Sequence, residues 1–363
     1  MARTCCGREV RSVAQRIVIV LALPATVAGC AVSVPGRPAG ASGPALDAAR
    51  AVARPAHSLQ PGAGRSHPRA FVASVFGASG RVSRGLSVFS AADGHIIRKL
   101  TRDWRFPVAV AVSPDARWVY YFRESDQALG QCKATGFSEP PLWRVPASGG
   151  RPRRAALRTT SLAFSPDGRM VAYTSSRRCG RTVWIVIRDK KAGTTRHILL
   201  ARNVPTSNNP IFTAQLSWAP DDRHLAVAVT PAAAINTVSV VNARTATRMP
   251  AKAIAPCTRQ EDECLDPGFD RRGRLTFLKW RNQRGRHPER VIRWQHGHVS
   301  RLVTLSRNQS SQNSASIAAG GAGGAVLIEG GIRRHQIWRW SAGRITLIRS
   351  STRRMLVSDV LWL

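Results

Sequence analysis

The sequence predicts an all-β fold: a six-bladed β-propeller of four-stranded blades whose last strand completes the first blade. Three observations predict it. A turn motif flanked by apolar runs recurs about every fifty residues from residue 70 onward. Each recurrence is followed by a second pair of short β-branched and aromatic runs, so that each unit holds four strands, the content of a propeller blade. The two ends of the repeat region are each incomplete in a way that the other end supplies.

The best copy of the motif is Leu162-Ala163-Phe164-Ser165-Pro166-Asp167-Gly168-Arg169-Met170-Val171-Ala172-Tyr173. Pro presets the φ of an early turn position, and Gly accepts the positive φ that follows. Val110–Tyr120 and Leu216–Val227 repeat it with Ala116 and Asp222 in place of the Gly, so those two turns are expected to be strained or of another type. Phe269–Phe277 is a weaker copy and Ala319–Leu327 the weakest. Equivalent positions 114, 166, 220, 271 and 321 lie 52, 54, 51 and 50 residues apart.

Second hairpins follow, as in Leu142–Val145 with Ala155–Leu157, Val183–Ile187 with Ile198–Leu200, and Ile337–Trp340 with Ile345–Ile348. Residues 71–100 supply only three strands, Phe71–Phe76, Leu86–Ser90 and His95–Leu100, while Met355–Leu363 reads as an opening strand without a successor. Joining the two leaves no open sheet edge between blades.

The N-terminal part has a different character. Arg3, Arg8, Arg11 and Arg16 precede an apolar stretch from Ile17 to Val27, the length of a signal-peptide core and too short to span a bilayer. It ends in Val27-Ala28-Gly29-Cys30, which resembles the lipobox of bacterial lipoproteins. That resemblance implies removal of residues 1–29, lipidation of Cys30, and an extracytoplasmic chain anchored to the cell membrane. Residues 30–68 are rich in Ala, Gly, Pro and Ser without apolar periodicity and read as a flexible tether. Such a chain reaches about 35 Å. Residues 69–363 form the propeller.

Composition limits the function. The chain has 363 residues, 55 Lys plus Arg against 20 Asp plus Glu, and a formal net charge of +35. Only six of the cations are lysine, so the excess is arginine. This is either a compositional bias of a GC-rich genome or an attraction to anionic surfaces. The basic residues are scattered, so a nucleic-acid groove is not indicated. A hydrophobic content of 43% is enough to build cores.

Within the repeat region the motif Phe-Ser-Pro-Asp-Gly before an apolar strand resembles the WD40-like repeat of TolB-type β-propellers. Residues 161–175 match it fully and the other copies in part. The resemblance implies a propeller fold and suggests a role in the envelope; it specifies no activity.

The longer connections, 124–141, 201–213, 251–267, 281–289 and 307–314, all fall on the face opposite the Pro-Asp turns, where function is expected. Cys132 and Cys179 occupy equivalent loops of adjacent blades and Cys257 and Cys264 one blade-to-blade loop, so both pairs are expected as disulfides. The loop-entropy model assigns them about 4 and about 2.5 kcal/mol. A zinc site from the four is the weaker idea, because no Cys-x-x-Cys occurs.

Glu261, Asp262, Glu263 and Asp266 form an acidic loop able to meet Ca²⁺ or a basic partner, or simply a solvated loop balancing nearby arginines; EF-hand spacing is absent. His296-Gly297-His298 and the Gly320–Gly324 run read as turns rather than metal or phosphate sites. No Gly-x-Ser-x-Gly elbow and no cofactor motif is present. The expected protein is a monomeric, non-enzymatic, lipid-anchored binding or scaffold module for an envelope protein or an anionic wall polymer. The alternative is a propeller hydrolase or lyase acting on extracellular glycans or peptides, which needs carboxylates or histidines converging at the channel mouth.

Overall fold

The computed structural model describes residues 70–363 apart from 78–82, 103–105, 124–125, 127–138, 178–181, 203–212, 231–236, 250–261, 271, 282–289, 296–297, 305–313, 320–323, 331–334, 342–343 and 352–354. These residues form β-strands joined by turns, as the period-2 patterns require.

Among the described residues six four-stranded antiparallel sheets are present. The first joins β1 (Ala70–Gly77), β2 (Ser83–Ser90) and β3 (Ile96–Lys99) to the last strand, β24 (Met355–Trp362). The second holds β4 (Pro107–Val112), β5 (Trp118–Arg123), β6 (Pro141–Pro146) and β7 (Arg153–Arg158). The third holds β8 (Leu162–Phe164), β9 (Met170–Arg177), β10 (Thr182–Asp189) and β11 (Thr195–Arg202), and the fourth β12 (Thr213–Trp218), β13 (His224–Thr230), β14 (Thr237–Asn242) and β15 (Thr247–Met249). The fifth and sixth are β16 (Asp262–Phe269), β17 (Leu275–Arg281), β18 (Arg290–Gln295) and β19 (His298–Thr304), then β20 (Ser314–Ala319), β21 (Gly324–Gly330), β22 (His335–Ser341) and β23 (Arg344–Ser351).

The opening strands β24, β4, β8, β12, β16 and β20 touch in that order, and β20 touches β24, so the sheets fan around one axis. The expected closure is present. Phe71 pairs with Trp362 and Val72 with Leu361; after a bulge, Val75 pairs with Val357. Leu363 N–H donates to Ala70 O at 3.1 Å.

Among the described residues each apolar cluster lies between two neighbouring sheets rather than at one centre. Val72, Leu86 and Val88 meet Val119, Tyr121 and Val145 between the first and second sheets. Ile185 and Ile187 meet Leu225, Val227 and Trp218 between the third and fourth. Phe71, Phe89, Val357 and Val360 meet Ile337 between the first and sixth.

Single hydrogen bonds stitch the same boundaries. Ala109 N–H donates to Ser74 Oγ (3.2 Å), Trp218 Nε1 to Ala163 O (3.1 Å) and Arg349 Nη1 to Gly94 O (2.9 Å).

One expectation is corrected. Asp262, Glu263, Cys264 and Asp266, expected in a loop, lie instead on β16, the opening strand of the fifth sheet. The strand was hidden because acidic residues and Pro267 break its pattern. Its register shifts between Leu265 and Gly268, and Asp266 takes φ 50° within that bulge. Glu261 and the Gly320–Gly323 segment lie outside the described residues.

Gly85 tests the tightness of the first sheet boundary. Its φ is +89°, and a Cβ there would stand 2.1 Å from Thr101 O. Gly85→Ala is expected to destabilise the protein by about 3 kcal/mol, whereas Gly193→Ala, with open space around it, should cost only about 1 kcal/mol. Thermal unfolding followed by circular dichroism reads the difference.

Candidate functional site

The site begins with the repeated turn. In the third sheet Ser165 Oγ donates to Asp167 Oδ1 (2.6 Å) and accepts from Met170 N–H (2.8 Å), while Arg169 N–H donates to Asp167 Oδ1 (2.8 Å). The second sheet repeats this with Ser113, Asp115, Trp118 and Arg117. Ser and Asp are thus required together: each satisfies backbone donors that the turn leaves unpaired.

In the fourth sheet Ala219 replaces the Ser, and Asp221 receives Arg223 N–H and His224 N–H, with His224 Nδ1 at 2.5 Å from its other oxygen. In the fifth, Asp270 itself stands in the Ser position and receives Arg272 N–H, Arg274 N–H and Arg274 Nε. The fourth position of the turn, counted from the Ser position, has positive φ in the four described copies: 55° at Ala116, 70° at Gly168, 54° at Asp222 and 71° at Gly273. The expected strain at Ala116 and Asp222 is therefore real.

These turns bring together a cleft of about 300 Å³ between the third and fourth sheets, lined by Asp167, Arg169, Met170, Asp189, Arg196, Asp222 and Arg244. Asp222 Oδ1 accepts from Asp167 N–H of the neighbouring sheet at 3.0 Å. Burial, together with the nearby Asp167 carboxylate, pushes the Asp222 carboxyl above its usual range. Arg169 holds Asp189 in a fork, with Nε at 3.1 and 3.0 Å from the two oxygens and Nη2 at 2.7 Å. Asp189 also accepts from Lys191 N–H and Ala192 N–H. The Arg169 hydrogen bond, followed by the backbone donors, lowers its carboxyl to about 2. The cleft therefore mixes three arginines with three carboxylates, each of which also serves a turn or a strand end.

The other sequence-predicted site residues are only partly described. Cys30, Cys132, Cys179, Cys257 and Glu261 lie outside the described residues. Cys264 is fully buried on β16 and disulfide-bonded. Asp266 receives Gln215 Nε2 from the fourth sheet and returns its N–H to Gln215 Oε1 at 2.6 Å. Its side chain is thereby engaged between two sheets. Among the described residues no group of three or more His, Cys, Asp or Glu is placed to hold a metal ion.

Glu139, just before β6, accepts from Ser176 N–H of the third sheet at 2.5 Å, and burial raises its carboxyl to about 7. The contact joins the ends of the two segments that carry Cys132 and Cys179. Sequence reasoning missed Glu139, since nothing in its neighbours marks it as buried. Trp218 and Trp294 are buried, and Trp143 supports the Arg123 guanidinium 3.7 Å from its ring centroid.

Two pH dependences follow. Asp189 stabilises the fold above its unfolded value near 4, and that contribution is lost as pH falls through about 2. Arg169→Ala should raise the Asp189 titration midpoint, read by carboxyl NMR. Glu139 works in the opposite sense. Its folded value of about 7 exceeds the unfolded one, so stability declines as pH rises from about 4.5 to 7. Glu139→Gln should remove roughly 2 kcal/mol of that decline in denaturant titrations at pH 5 and pH 8.

No family model matches the chain, and the search of curated proteins gave no match. Solved structures do resemble it. TolB of Acinetobacter baumannii aligns over 82% of this chain and 67% of its own, with 14% identity and a TM-score of 0.56. A putative TolB of Agrobacterium tumefaciens aligns over 81% and 98%, with 13% identity and a TM-score of 0.49. A periplasmic gluconolactonase of Pseudomonas aeruginosa aligns over 80% and 98%, with 11% identity and a TM-score of 0.46. At such identities the likeness is one of fold. The chain has the TolB-like β-propeller fold that its Phe-Ser-Pro-Asp-Gly repeat implies.

Proposed function

We propose that this chain is a non-enzymatic, lipid-anchored envelope protein whose propeller serves as a binding or scaffold module, with an anionic wall polymer as its ligand. The observation that carries the reading is how the charge is divided. The described turn carboxylates Asp115, Asp167, Asp189, Asp221 and Asp270 are engaged by backbone N–H groups of their own turns or strand ends. Arg117, Arg151, Arg223, Arg244 and Arg272 stay exposed, and so do both lysines of the β10–β11 turn. A chain of net charge +35 arranged this way presents cations outward and keeps its anions for the fold.

An envelope-protein ligand fits the same scaffold, and the acidic segment Glu261, Asp262, Glu263 and Asp266 is the place a basic partner would meet. The anionic polymer is preferred because cations dominate the exposed side chains. The alternative of a hydrolase or lyase has one observation in its favour, the raised Asp222 carboxyl beside Asp167 in the cleft. Asp167 is held by its own turn and Asp222 by Asp167 N–H, so neither is a free acid or base.

The remainder of the proposal concerns address and cross-links. Residues 1–29 are removed, Cys30 carries the lipid, and residues 30–68 tether the propeller of residues 69–363, which acts as a monomer. Cys257 is the proposed partner of Cys264 and Cys132 that of Cys179. Support comes from the disulfide-bonded state of Cys264 and from the Glu139–Ser176 contact between the two other cysteine-bearing segments.

Cys30→Ala should move the chain from the membrane to the soluble fraction of its own cells. Peptide mapping without reduction should recover the 257–264 and 132–179 links; free thiols at these positions would refute the pairing. Binding of purified chain to cell-wall polymer, unchanged in Asp222→Asn, is the expected result against the hydrolytic alternative. Polymer cleavage abolished by that substitution would overturn the binding reading.

A further inference from the structure

We infer that the outer edge shared by the first and second sheets is the docking surface for a linear polyanion; the inference rests on the binding-module reading and locates its ligand. Arg98 and Lys99 of β3 and Arg151, Arg153 and Arg154 at the start of β7 are all exposed. Among the described residues no carboxylate pairs with any of them, whereas the turn arginines Arg169 and Arg274 are bound to Asp189 and Asp270.

The two strands belong to different sheets, yet they form one surface. Arg98 Nη1 donates to Ala147 O, in the turn that leads from β6 to β7, at 3.0 Å. The arginine stem also runs alongside Gly149, where an added Cβ would lie 3.4 Å from Arg98 Cδ. This latch fixes the spacing of the cations on the two strands.

Behind them the sheet is stiffened by stacked guanidinium groups. Arg144 lies 4.6 Å from the Trp118 ring centroid and Arg123 3.7 Å from that of Trp143. Arg144 pairs with Arg153 across the strands, and Trp143 pairs with Arg154. Successive strand residues take opposite faces, so Arg154, paired with Trp143, shares the boundary side with Arg98, which pairs with Val88, while Arg153, paired with Arg144, lies on the other side of the same exposed edge; a linear polyanion running along the edge meets both, and each planar fork can take two oxygens of a phosphate or a carboxylate.

Charged side chains on outer strands also discourage edge-to-edge pairing of sheets. That does not explain this distribution. β19 and β23 are longer outer strands, yet they expose Val299 at 43% and Leu347 at 42%. β7 carries three arginines in six residues, and a fourth precedes it by two positions. Cations are concentrated where two sheets are latched together, not where edges are longest.

The test uses the full mature chain and two probes, long-chain inorganic polyphosphate and poly-glutamate, with affinity measured by calorimetry at several salt concentrations. Arg153→Glu with Arg154→Glu is compared with Arg223→Glu plus Arg272→Glu, the same charge change on the turn face. The first pair should weaken binding at least tenfold and flatten the salt dependence by about two released ions, and the second should weaken it less than threefold. Arg153→Gln with Arg154→Gln, at an unchanged melting temperature, should give an intermediate loss and separates the effect from misfolding. Preference between the probes tells phosphate from carboxylate ligands. Equal losses in both Glu pairs would overturn the edge while leaving a diffuse polyanion-binding module in place. No binding of either probe by the unmodified chain would overturn the edge and the polymer reading together.

Discussion

Everything in this molecule depends on the pairing of β24 with β1. The described apolar clusters lie between neighbouring sheets, so a sheet needs a neighbour to cover its apolar face. In an open array two faces would remain uncovered. The chain removes both by returning its C-terminal strand to its first sheet, so that Val357 and Val360 complete the cluster of Phe71, Phe89 and Ile337. The same pairing hydrogen-bonds the inner edge of β1, which would otherwise be an aggregation-prone strand edge.

Closure also shapes the charge. A ring of antiparallel sheets puts the first and third turns of every sheet at one end, and these turns need acceptors for their N–H groups. Asp115, Asp167, Asp189, Asp221 and Asp270 supply them. Few carboxylates are then left to neutralise an arginine-rich surface, and where two outer strands meet at Arg98 and Ala147 the cations accumulate unopposed. Fold and surface potential thus have a common origin in the turn chemistry.

Much of this was legible in the sequence, for a physical reason. A turn with Ser, Pro, Asp and Gly at fixed places has one low-energy way to fold, so the hairpins β4–β5, β8–β9 and β12–β13 could be read directly; for Ala116 and Asp222 the sequence leaves strain or another turn type open, and their positive φ decides for strain. The unmatched strands at the two ends announced their own pairing. The parts that escaped are those decided by partners distant in the chain. β16 looked like an acidic loop because its bulge at Asp266 and its clasp by Gln215, 51 residues away, leave no local signature. Glu139 gave no hint of burial, and neither Phe106 nor Ala246 is a residue type that announces its positive φ. The cationic edge was present in the sequence as Arg151, Arg153 and Arg154, but its continuation onto Arg98 needed the arrangement of the sheets.

Native-state hydrogen exchange addresses the closure most directly. If β24 completes the ring, the Val357 and Leu361 amides should exchange as slowly as those of Phe71 and Val72, through global unfolding alone. Exchange of the β24 amides many times faster than those of β1, through local detachment, would contradict the account.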